Sequence, residues 1–75
     1  MGYHASAGLM SGPILWRDPH VALGVLEAPG DHTPIGVALE VGWDEAGRSL
    51  WRLIVRGDEV PGRWIVVDRE FRPEG

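Results

Sequence analysis

Histidines, serines and a set of arginines are the residues of this sequence that could do chemistry. His20 follows Asp18-Pro19, and His32 follows Asp31. A carboxylate that orients an imidazole is how a general base is built. The same pairs are ordinary turn chemistry, because Asp side chains hydrogen-bond to nearby backbone, and the turn reading is favoured. His4 has no acid beside it, and Ser6, Ser11 and Ser49 lack the flanking glycines of a nucleophile elbow. There is no cysteine, and no three or four ligands stand at metal-motif spacing. One chain is therefore expected to hold no metal and no cofactor and to have no catalytic residue. A self-contained enzyme is not expected. An enzyme or ligand-binding subunit whose site forms between protomers, lined by His20, His32 or Asp31, stays open as an alternative.

The basic residues are all arginines, and they are unevenly spread. Residues 1–47 hold one arginine against six acids (net −5), and residues 48–75 hold six arginines against five acids (net +1), which together give −4. Arg52, Arg56, Arg63 and Arg69, interleaved with Trp51, Trp64 and Phe71, are candidate anion or nucleic-acid contacts: bases would stack on the aromatics while Arg tracks phosphate. The acidic balance, and Asp68 and Glu70 within the same run, disfavour a nucleic-acid partner. Arg56-Gly57-Asp58 matches the tripeptide that cell-surface receptors recognise, and it reads more simply as a Gly-Asp turn. Four tryptophans in 75 residues is dense. Trp combines large area with few rotors and is enriched at protein interfaces. Trp16 and Trp51 read as core. Trp43, Trp64, Val66 and Phe71 read as interface candidates.

Short apolar runs bounded by Gly, Pro or Asp must position these side chains, which is the signature of an all-β domain. The runs are Pro13–Arg17, His20–Ala28, Ile35–Trp43, Ser49–Arg56 and Arg63–Phe71. Val21, Leu23 and Val25 alternate with Ala22 and Gly24, and Val37, Leu39, Val41 and Trp43 alternate with Ala38, Glu40 and Gly42. Period two marks half-buried strands with the apolar side inward. The turn Asp44–Gly47 suits a type I turn plus a G1 bulge, with Asp44 opposite Arg48. That register sets Val41 against Trp51, Leu39 against Leu53 and Val37 against Val55. It also sets Glu40 beside Arg52 in solvent. Gly57–Gly62 reads as a turn. Trp64–Val67 is apolar on both faces, as in a central or interface-covering strand.

The expected fold is all-β: a single five-stranded antiparallel barrel or sandwich of SH3-like or OB-like size over residues 13–72. Residues 1–12 are expected to form a flexible arm, with docking of Leu9 and Met10 on the barrel as the alternative, and residues 73–75 a frayed tail. The first dozen residues carry no basic or sustained apolar segment, and no stretch approaches the ~18 apolar residues that span a membrane. A cytoplasmic protein with no membrane partner is expected. A chain this short buries only about 60% of its unfolded surface. Without disulfides, self-association is a natural source of stability. The expected function is a small protein-interaction module, an adaptor, assembly component or inhibitor, that binds a protein partner and/or further copies of itself.

Overall fold

The computed structural model describes residues 8–19 and 21–75. The described residues form six antiparallel strands: β1 (Met10–Arg17), β2 (Ala22–Glu27), β3 (Pro34–Trp43), β4 (Ser49–Val55), β5 (Asp58–Val67) and β6 (Glu70–Pro73). Each strand pairs with its neighbours in sequence, and β1 meets β6 to close a barrel. Closure removes the sheet edges that invite pairing with other chains.

The sixth strand corrects the expectation of five. Gly57–Gly62 is not a loop, because the β4–β5 connection needs only Arg56 and Gly57, between the paired residues Val55 and Asp58. Both connecting residues have positive φ (51° and 87°), as a type I′ hairpin turn requires. The run Arg63–Phe71 is likewise split by Asp68 and Arg69, at φ 53° and 66°, into the end of β5 and all of β6. Pro61 and Gly62 fall inside β5, where the register against β4 shifts between the pairs Trp51–Trp64 and Leu53–Val60. A strand tolerates proline at such a bulge because no ladder hydrogen bond is asked of it there.

The boundary of the expected arm also moves. Leu9 is buried in the core, and Met10–Gly12 belong to β1. Ser11 N donates to Arg69 O (2.7 Å) and Phe71 N donates to Leu9 O (2.8 Å), so residues 9–11 supply the closing seam. Residues 1–7 lie outside the described residues. At the other end, Pro73 is the last residue of β6, opposite Trp64.

The larger correction concerns which face points in. The turn sets Asp44 opposite Arg48 as expected, with Asp44 N donating to Arg48 O (2.8 Å) and Gly47 at φ 82°. Beyond Gly42 a bulge at Val41 then shifts the β3–β4 register by one. Glu40 stands opposite Trp51, Ala38 opposite Leu53, and Val37 opposite Ile54. Ala22 and Leu26 of β2 and Ala38 of β3 thus face the interior with Trp51, Leu53, Val55, Val60, Trp64 and Phe71. Val37, Leu39 and Val41 look outward. Opposite walls explain the inversion: β4–β6 bring two indoles and a phenyl ring inside, and small residues on β2–β3 leave room for them, as small barrels require. Trp51 and Phe71 meet edge to face, with centroids 5.9 Å apart and planes at 67°, a geometry worth about 0.5–1.5 kcal/mol beyond area burial. At Gly36 the two strands approach so closely that a Cβ would overlap the Ile54 carbonyl oxygen.

Two outcomes test this architecture. Ala38→Leu overpacks the interior and should cost about 1–3 kcal/mol, whereas Leu39→Ser should cost under about 1 kcal/mol, measured by urea unfolding of dilute protein. The reverse order would restore the inward-facing Leu39. Arg69→Gly relieves a left-handed conformation that β-carbon-bearing residues resist, and should raise stability by about 1 kcal/mol in the same assay.

Candidate functional site

The outward-facing side chains of β1–β4 form two cross-strand rows. Trp16 stands opposite Leu23, Leu23 opposite Leu39, and Leu39 opposite Arg52. Alongside, Val25 stands opposite Val37, Val37 opposite Ile54, and Ile54 opposite Glu59. Directly opposed residues share a face, so six large apolar side chains lie together on the outside of the barrel. The only partly buried apolar side chain packed against the core, among the described residues, is Ile35, so this surface is separate from the interior. Val41, bulged out of the ladder, is exposed on β3 beyond Leu39, and Trp16 is exposed on the β1 side. The expectation that Trp16 belongs to the core is therefore corrected. The face ends on β4 and β5 in an ion pair: Arg52 donates to Glu59 through Nε (2.7 Å) and NH2 (2.6 Å). That bond holds the Glu59 carboxyl below its ordinary range, and the same hydrogen bond raises Arg52.

The interface candidates read from sequence are dispersed. Trp64 (6% exposed) and Phe71 (1%) fill the interior. Val66 is partly exposed and lines a cavity of about 320 Å³ with Ser11, Arg48, Ser49 and Trp51. Trp43 is exposed at the end of β3, where it lines a cleft of about 580 Å³ with Leu50, Arg48, Arg63 and the acids Asp44, Glu45 and Glu74. The arginine candidates separate as well. Arg52 is held by Glu59, and Arg63 lies in the Trp43 cleft. Arg56 and Arg69 sit in the turns at opposite ends of β5. The aromatic platforms that a nucleic-acid groove would need, Trp51, Trp64 and Phe71, are inside the barrel.

Glu40 is the polar residue that the alternation pattern misplaced. It is 3% exposed and does not meet Arg52. Ser49 Oγ donates to its Oε2 (2.5 Å), and the Arg17 guanidinium lies 3.6 Å from its Oε1. Glu40 Oε1 and the indole Nε1 atoms of Trp51 and Trp64 are buried without a hydrogen bond, and these three residues are neighbours in one cross-strand row. A buried group left unpaired costs about 1–3 kcal/mol, so this row is the least satisfied part of the interior.

Among the histidines, His32 Nδ1 lies 3.1 Å from Glu27 Oε1, while His4 and His20 fall outside the described residues. Asp31 does not orient His32. Its carboxylate accepts from Thr33 N (3.0 Å), which lowers its pKa and makes the pair turn chemistry. No three His, Asp or Glu side chains among the described residues come together in a way that could hold a metal ion. No helix among the described residues is long and apolar enough to cross a membrane. Compared with protein-family models, curated proteins and solved structures, the chain matches none.

Asp44 is the best-connected surface carboxylate. Its Oδ1 accepts from Ala46 N (2.9 Å) and Arg48 N (2.8 Å), and its Oδ2 accepts from Arg48 Nε (2.7 Å). The Arg48 backbone bond, more than any other cause, lowers its pKa. For a carboxyl lowered in the folded state, the stabilising contribution is complete above the unfolded value and is lost as pH falls through the folded one. With ordinary values of 3.8 for Asp44 and 4.5 for Glu59, the loss should set in below about pH 4.5. The Asp44→Ala variant should have a lower urea midpoint than wild type at pH 7, and the gap should narrow by pH 2. A gap independent of pH would show that the charge contributes nothing.

Proposed function

We propose that this protein is a small interaction module, an adaptor, assembly component or inhibitor, that works by binding another protein chain rather than by catalysis. The observation that carries the reading is the apolar face built by Leu23, Val25, Val37, Leu39 and Ile54, with Trp16 at its margin. The five aliphatic side chains are half-buried, and with the exposed Trp16 and Val41 beside them they make a contiguous apolar outer surface. Contiguous patches of this kind mark interaction sites. Arg52 and Glu59 supply a polar rim, and such rims suit protein interfaces whose centres are apolar. A cytoplasmic location belongs to the same reading, in keeping with a cysteine-free sequence.

The test is site-specific photo-crosslinking in extracts of the source cells. A crosslinker on the outer face, at Val37, should capture a discrete protein, of this sequence or another. Leu23→Lys should reduce that capture at least tenfold while leaving the near-ultraviolet circular dichroism of Trp51 and Trp64 unchanged. A crosslinker in the Arg56–Gly57 turn should capture nothing discrete. Equal capture by the variant and by wild type would sink the reading.

A further inference from the structure

We infer that the occupant of the outer β1–β4 face is a second copy of this chain, docked face to face in a reversible dimer. The inference rests on the reading of this face as a binding surface and adds the partner. Charge is the first argument. The chain carries −4 overall, so most ways of bringing two copies together set like charges against each other. The two outer rows are the exception. Their only charged members are Arg52 and Glu59, which already neutralise each other through two hydrogen bonds. Two identical faces can therefore meet without setting like charges directly against each other. A two-fold arrangement also lets the Arg52–Glu59 pair of each copy approach its counterpart with either sign leading.

Area is the second argument. Four strands about 4.8 Å apart, carrying outward residues along roughly 14 Å of strand, make a patch on the order of 400–500 Å² once side-chain relief is included. Two such patches bury on the order of 1,000 Å² in total, the size of a weak or transient complex rather than an obligate one. The exposed margins formed by Trp16 (54% exposed) and Val41 (42%) lie in the same patch, and a large flat aromatic is the usual anchor of such an interface. The third argument is energetic. The β2–β3 wall lends the interior Ala22, Leu26 and Ala38, with Ile35 packed partly buried against them, so this wall of the core is thin. The aliphatic side chains that could have thickened it are on the outside, half-buried by their neighbours, and association would cover the remainder together with the exposed Trp16 and Val41. Anything that binds the folded state alone raises its stability by mass action.

Sedimentation or light scattering of the full chain from 1 µM to 1 mM should show the mass rise from 8.2 kDa towards twice that value. The melting temperature should rise by several degrees over the same range. Leu39→Lys should hold the mass at the single-chain value and make the melting temperature independent of concentration, with its unfolding transition still cooperative. Trp43→Ala, off the face, should dimerise like wild type. Intermolecular NOEs between Val37 and Leu23 methyls in a mixed-label sample should place the contact. A wild-type chain that stays single at 1 mM would overturn the inference, and would leave the binding role intact if Val37 still captures a different protein. A dimer that survives Leu39→Lys, or that Trp43→Ala abolishes, would also overturn it, because the contact would lie elsewhere. A single chain whose Val37 crosslinker captures nothing discrete would remove both readings.

Discussion

The volume inside six short strands is what the rest of this molecule depends on. Trp51 and Trp64 stand side by side on β4 and β5, and Phe71 meets Trp51 edge to face from β6. Three large rings on one half of a small barrel restrict large side chains on the other half, where Leu26 is fully buried among small neighbours. The β2–β3 wall answers with Ala22 and Ala38 beside Leu26, while Gly24 and Gly36 admit the close approach of β1 and β4. Because side chains alternate along a strand, choosing small residues for the inner positions hands the outer positions to Leu23, Val25, Val37 and Leu39. Core and apolar outer face are thus two consequences of one packing constraint, and a change in one wall is felt on the other side of the sheet.

Glu40 belongs to the same constraint. It occupies an inner position in line with Trp51 and Trp64, next to the bulge at Val41 that reconciles the Asp44–Arg48 turn with the inner row. A carboxylate there is tolerated through the Ser49 hydroxyl and the nearby Arg17 guanidinium, since a buried charge without partners is costly. Moving the strand by one residue would bring Leu39 inward and release Glu40. It would also force a leucine against the indoles. The bulge therefore does for register what the apolar alternation alone does not, because either face of β3 is apolar enough to be the inner one.

This ambiguity is also why part of the fold was legible in the sequence and part was not. Strand content, antiparallel order and the Asp44–Gly47 turn follow from period two and turn chemistry, which are local. The inward face of β3 is not local: it is decided by the ring volumes of β4–β6, which no single strand reveals. The two-residue turns at Arg56–Gly57 and Asp68–Arg69 were hidden for another reason. Proline and glycine at residues 61 and 62 looked like the loop, while Asp68 and Arg69 adopt a left-handed conformation usually reserved for glycine or asparagine. Of the site, the arginines were legible as exposed residues. Val37, Leu39 and Val41 follow the alternation that marks an apolar inner side, so the outer apolar face carries the pattern of a core face with its direction reversed.

A thin interior and an apolar exterior make folding and binding draw on the same side chains. In a larger domain the two are separable, because a deep core sets stability and the surface is free to vary. Here Leu39 and Val37 are half-buried in the single chain, and on the proposed binding role a partner that covers them would add to the stability of the folded barrel. On the proposed binding role, selection on a complex would keep these positions apolar, and selection for the packing of Trp51, Trp64 and Phe71 would keep Ala22 and Ala38 small. The alternation in β2 and β3, large outside and small inside, records both demands in one stretch of chain.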